Sequence, residues 1–199
     1  GQTDAGALHS YAVIHVDFSQ QGTVKAMLAC KGFAAVTADI LPQTLGVDCQ
    51  TALNTVSADF TKTGIYTFMF NRCDQAHVFT LFIRGYADEA EEIGRLQAEY
   101  GADHVTVFDS GVHRIGDIAF DRDNCVIYLR SGAILKAEPN GSGTNTVIGA
   151  WRRKNIKILG SGTVDMGGLS WKEKCGATFS YCEDVTAEGI LFINSAHWT

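Results

Sequence analysis

Proline is almost missing from this chain: two stand among 199 residues, against 21 glycines. That excludes a stiff polyproline spacer, and it casts the glycines as turn residues and points of close backbone approach. Charge is sparse as well, at 19% of residues, while 46% are hydrophobic. This balance excludes a self-repelling disordered chain. Positive charge is the scarcer sign, and the formal net charge is -6. The one basic cluster, Arg152-Arg153-Lys154, is a solvated corner rather than a phosphate-tracking stripe, so no nucleic-acid partner is expected. No apolar run reaches the roughly 20 residues that span a bilayer, so no membrane partner is expected either. The amino end, Gly1-Gln2-Thr3-Asp4, shows no signal-peptide pattern. Location stays open, with a secreted or periplasmic home preferred.

The six cysteines, at 30, 49, 73, 125, 175 and 182, include no CxxC pair. A structural zinc site is therefore not expected, and nothing in the sequence implies a metal or a cofactor. Cys30 with Cys49, and Cys175 with Cys182, are close enough in sequence to form disulfides. The other reading is six thiols, several buried in strands as small hydrophobes.

Residues 1 to about 85 read as β-rich. The run 10–18 carries apolar residues on both alternating sets, the mark of a strand inside a sheet. Residues 64–70 and 77–83 form two apolar runs with Asn71 and Asp74 between them, a hairpin pattern. Several short strands of this kind predict a small β-sandwich over residues 1–103. Near its end, residues 88–101 place Glu89, Glu91 and Glu92 ahead of Ile93, Leu96 and Tyr100. That spacing predicts a short helix, with an acidic linker as the alternative.

From residue 104 the texture changes to short apolar runs punctuated by Gly, Ser, Asn and Asp. The runs repeat. Residues 124–129 lead to Gly132, residues 155–159 to Gly162, and residues 184–187 to Gly189. A recurring unit of this length is a solenoid signal, because one coil cannot bury its apolar face alone and stacked coils can. A second sandwich with coincidental spacing is the competing reading of residues 104–199.

The residues in these runs carry a resemblance. Phe108-Asp109-Ser110-Gly111-Val112-His113 resembles the opening turn of right-handed parallel β-helices. The segment 125–136, a tyrosine-bearing strand leading to Gly132-Ala133, is similar to the coil that follows. Gly160-Ser161-Gly162-Thr163-Val164-Asp165 with Trp171 after it, and residues 185–198, resemble the next two. Together they resemble the pectin-lyase-like superfamily, with polygalacturonase-like hydrolases (glycoside hydrolase family 28) and the dextranase and isopullulanase group (family 49) as nearest kin. Ser110 and Ala196 stand where those families use proline, and Met166 where they use glycine. The resemblance implies an all-β chain, a small β-sandwich followed by the first coils of a right-handed parallel β-helix. The implied function is the amino-terminal part of a polysaccharide-degrading hydrolase.

Inverting glycosidases hold two carboxyls about 6.5–9.5 Å apart around a water. By resemblance those carboxyls sit in coils after Asn194–Trp198, beyond Thr199, so no residue carries over as catalytic and this chain alone is expected to be inactive. Asp165 at a strand end reads chiefly as a turn aspartate, and His113 as a structural hydrogen-bonding residue. Glu183 and Asp184, being adjacent on a strand, point to opposite faces. Trp171, His197 and Trp198 are the candidate substrate-binding residues, since aromatic rings stack on sugar faces. Trp151 shares the chemistry, with coil-edge packing as its other reading. Polysaccharide or oligosaccharide is the expected partner. A non-catalytic glycan-binding or assembly module is the alternative function, and a polysaccharide lyase the third. An uncapped last coil would also promote self-association through the open β-helix end.

Overall fold

A computed structural model describes residues 9–71, 78–85, 88–139, 145–170 and 173–195. The chain is mostly β and divides into two compact units, residues 1–87 and 88–199.

The first unit runs β1 (His9–Val16), a one-turn helix α1 (Phe18–Gln21), β2 (Val24–Ala29), β3 (Ala38–Leu41), β4 (Cys49–Ala52), β5 (Thr55–Phe60), β6 (Gly64–Phe70) and β7 (Val78–Gly85). One sheet has the order β1-β7-β6-β3 and the other β2-β5-β4. The expected hairpin is present: β6 and β7 pair antiparallel, with Gly64 beside Ile83. β1 lies parallel to β7, pairing His9 with Val78. Strand alternation sends Val56, Ala58 and Phe60 of one sheet, and Tyr66, Phe68 and Phe70 of the other, into a single core. Aromatic rings fill that core edge to face, with Phe60 at 4.5 Å from Tyr66 and 6.3 Å from Phe68.

The second unit opens with α2 (Glu89–Tyr100), so the acidic stretch is a helix and not a linker. Asp88 caps it, accepting from the Ala90 and Glu91 amides, and three acids sit in its first turn, where the helix dipole favours them. Its apolar stripe, Ile93 and Leu96, is buried against Val105, Val126 and Tyr128. This helix belongs to the second unit rather than ending the first.

The strands that follow are β8 (Val105–Phe108), β9 (Gly111–Ile115), β10 (Ile118–Phe120), β11 (Cys125–Leu129), β12 (Ala133–Ala137), β13 (Thr146–Trp151), β14 (Lys154–Gly160), β15 (Thr163–Asp165), β16 (Cys175–Ser180), β17 (Glu183–Ala187) and β18 (Leu191–Ile193). They visit three parallel sheets in rotation: β17-β14-β11-β8, β18-β15-β12-β9 and β10-β13-β16. The segment 111–115, whose sequence resembles a turn, is thus itself a strand, paired with β12. Register fixes the step between neighbours. Cys125 lies beside Ile156 and Ile156 beside Val185, steps of 31 and 29 residues. Ile134 lies beside Thr163 and Thr163 beside Leu191, steps of 29 and 28.

β11 shows why its sequence is apolar throughout. Ile127 and Leu129 enter an aliphatic core with Leu135, Ile148, Ile156 and Ile158. Val126 and Tyr128 point the other way and lie under α2. The corners use left-handed backbone. Asn124, Asn155 and Asp184 occupy equivalent places on successive coils with φ of 56°, 54° and 53°, a conformation that Asn and Asp tolerate better than other side chains. Asn155 Nδ2 also donates to Asn124 Oδ1 at 2.9 Å, tying one coil to the next. Gly160, at φ +113°, permits the closest approach: a Cβ there would lie 2.1 Å from the Leu129 carbonyl oxygen. Deep in the same unit the ammonium of Lys174, 2% exposed, pairs with Asp117, 13% exposed, across 57 residues of sequence.

Candidate functional site

The three residues nominated from sequence as sugar contacts, Trp171, His197 and Trp198, lie outside the described residues. The polar residues that could have served chemistry are placed. Asp165 Oδ1 accepts from the Gly167 amide at 2.9 Å and from Asn194 Nδ2 at 2.8 Å, so it is the turn aspartate and also a tie between coils. His113 Nε2 lies 2.7 Å from the Asp109 carbonyl oxygen, and its ring packs edge-on against Phe108.

Other carboxylates are similarly engaged. Glu183 pairs with Lys154 at 2.8 Å, Asp109 with Arg130 at 3.3 Å and Glu138 with Arg114 at 2.5 Å. From α2, Glu92 accepts the Tyr128 hydroxyl at 2.7 Å and Glu89 accepts the Ser131 amide at 2.7 Å. A general acid needs a carboxyl pushed upward. The Asp121 carboxyl goes the other way, held below its usual range by the Arg122 guanidinium beside it.

The thiols offer no activated nucleophile. Burial pushes Cys30, Cys49 and Cys125 upward. Cys125 Sγ stands 3.8 Å from His104 Nδ1, but that nitrogen is 2.9 Å from the Asn124 carbonyl. An Nδ1–H that donates to a carbonyl cannot also accept the thiol proton. Neither disulfide considered from sequence is formed, since Cys30, Cys49 and Cys182 are thiols. Among the described residues no three His, Cys, Asp or Glu side chains converge as a metal site would require. In the first unit a cavity of about 520 Å³ is lined by Leu28, Cys30, Lys31, Phe33, Phe70 and Phe79.

The comparisons with known proteins add no assignment: no protein-family model matches the chain, and no curated protein matches it.

One surface cluster has a different character. Trp151 ends β13, and Arg152 turns the chain toward β14. One coil on, Ser180 ends β16 and Tyr181 makes the same turn toward β17. Register sets Trp151 beside Ser180, and the Arg152 amide donates to the Ser180 carbonyl at 2.9 Å. Trp151 is 57% exposed and Tyr181 76%, although both are large apolar rings. Their centroids are 4.9 Å apart at 72°. The Arg152 guanidinium carbon lies 5.8 Å from one ring and 6.0 Å from the other, within cation–π range. Both Arg152 and Tyr181 hold left-handed backbone, at φ 53° and 56°. Flanking charges are already used: Arg153 Nε donates to the Phe120 carbonyl at 3.3 Å, and the Glu183 carboxylate pushes the Lys154 ammonium upward. This corner can bind but has no group poised for proton or acyl transfer. Sequence reading singled out Trp151 and missed Tyr181. The available signal was their 30-residue separation, the length of one coil step.

Proposed function

We propose that this chain is the amino-terminal part of a polysaccharide-degrading glycoside hydrolase, built as a β-sandwich followed by the opening coils of a right-handed parallel β-helix. The observation that supports the reading is the rotation of eleven short strands through three parallel sheets at steps of 28 to 31 residues beyond the first coil. Such a stack presents long flat faces that suit an extended polymer better than a small molecule. In this reading the two reacting carboxylates belong to coils after Thr199. The alternative, a non-catalytic glycan-binding or assembly module, draws its support from the engaged carboxylates and from the exposed rings at Trp151 and Tyr181. Association through the strand edges of β16, β17 and β18 fits either reading. A polysaccharide lyase ranks third, because no acidic cluster suited to Ca²⁺ stands among the described residues.

The test is reducing-end release from a panel of neutral and acidic polysaccharides, using the protein as its source cell makes it and this chain alone. The hydrolase reading expects cleavage by the former, and glycan retention without cleavage by the latter. Retention without cleavage by both would favour the binding module. A failure of both preparations to retain any glycan would sink both readings.

A further inference from the structure

We infer that Trp151, Arg152 and Tyr181 form a subsite that stacks a pyranose ring of an oligosaccharide; the inference rests on the glycan reading above and assigns it a place. Three observations carry it. The first is exposure. Two large rings stand 57% and 76% in water while the aliphatic residues beneath them are fully buried. Single exposed apolar residues are ordinary, but two adjacent aromatic rings joined by an arginine are not scattered surface.

The second is the backbone. The αL turns at Asn124, Asn155 and Asn194 carry asparagine, whose side chain suits that conformation. At the corner after β13 and β16 the same conformation is imposed on an arginine and a tyrosine. Neither residue gains locally from it. Asparagine or glycine would be more stable there, so the side chains present are explained by what they project into solvent.

The third is size and chemistry. The pair offers an apolar surface on the scale of one sugar ring, with a guanidinium alongside as donor to hydroxyls. The C–H face of a pyranose needs an aromatic partner, and its rim needs donors such as Arg152. A protein partner is disfavoured by area, since a stable protein interface buries about 800 Å² on each side and two side chains cannot approach that.

The experiment is binding of neutral gluco-oligosaccharide and uronate-oligosaccharide hexamers to the full chain, read by Trp151 fluorescence. Replacing Trp171 and Trp198 by Phe leaves Trp151 as the sole indole among the three in the sequence. The expected result is a saturable emission change with one of the hexamers. Affinity should fall about ten-fold or more in Trp151→Ala and in Tyr181→Ala, and recover in part in Tyr181→Phe. Both rings are exposed, so the variants should keep the parental circular dichroism and melting curve. Calorimetry runs in parallel on the unmodified chain. Heat of binding that survives a Trp151→Ala/Tyr181→Ala double variant would overturn this subsite while leaving the glycan reading intact. No heat with either hexamer would overturn both. A double variant that changes the sedimentation of the chain but not hexamer binding would mean the corner contacts protein, and would also overturn the proposal.

Discussion

The two units solve the same burial problem with different side chains. The first unit fills its core with rings: Phe60, Tyr66 and Phe68 meet edge to face between two sheets. The second uses branched aliphatics, and Phe120 is the one aromatic among its fully buried core residues. Geometry explains the difference. Facing sheets stand about 10 Å apart, a gap that rings bridge well. In a parallel stack each inward residue lies beside its equivalent on the next coil, about 4.8 Å away, and Ile, Leu and Val interlock at that spacing. Polar economy differs too. The parallel unit ties coil to coil with side chains, through Asn155 to Asn124, Asn194 to Asp165 and Lys154 to Glu183.

The largest expected effect breaks the parallel unit alone. Gly160→Ala puts a Cβ 2.1 Å from the Leu129 oxygen at a φ of +113°. Destabilisation of roughly 4 kcal/mol or more is expected, read as loss of protection in the second unit by hydrogen exchange. Equal protection in the variant and parent would refute the close packing of those coils.

Truncating Lys174 comes next. Lys174→Met removes the cation that faces Asp117 in the interior, at about 3–5 kcal/mol. Adding Asp117→Leu should restore most of the loss. If the double variant is no better than the single one, the pair is not coupled.

Leu135→Ala and Phe68→Ala weigh the two cores against each other. Both residues are fully buried, and each truncation should cost about 3–4 kcal/mol in denaturant unfolding. A loss below about 1 kcal/mol at either site would mean that its core is loosely packed.

A smaller effect is expected at Tyr128. Burial, and then the Glu92 carboxylate that accepts its hydroxyl, raise this phenol above its ordinary value. The fold favours the neutral form. Its contribution is therefore complete below about pH 10 and is lost as pH rises toward the higher folded value. Stability should fall with pH above about 10, and Tyr128→Phe should flatten that slope while costing about 1 kcal/mol at neutral pH. Tyr66, raised by burial in the first unit, gives the matching control. An unchanged alkaline slope in both variants would count against the two buried phenols.

The smallest effect has the opposite sign. Arg152→Asn should stabilise the second unit by about 0.5–1 kcal/mol by relieving left-handed strain. A loss of stability would show that the guanidinium over the two rings outweighs that strain.

Much of this fold was legible in the sequence, for local reasons. The hairpin of β6 and β7 followed from two alternating runs around Asn71, and α2 from acids preceding a 3–4 spaced apolar stripe. Strands β8 and β11 were read to the residue, because Gly and Asn bound them tightly. What was not legible depends on partners distant in sequence. The parallel pairing of β1 with β7 joins residues nearly 70 apart. Lys174 and Asp117 look like ordinary surface charges until the coils stack. β9 was hidden because Gly111, a turn residue by type, begins a strand when its neighbour is β12. The candidate site was least legible. Trp151 stood out by type, whereas Tyr181 becomes its neighbour only through the coil step, and the cost of putting Arg152 in a left-handed turn is visible only in the backbone.

The regular step between coils has a consequence for how such a chain can change length. An insertion of about 29 residues at an αL corner adds one rung to all three sheets and leaves every existing ladder, core contact and Asn tie in register. An insertion of half that length would slide strands of one sheet toward the place of another. The second unit is therefore a modular object, tolerant of edits in whole coils and intolerant of fractions. The first unit, with β1 inserted beside β7 from the far end of its sequence, has no such quantum.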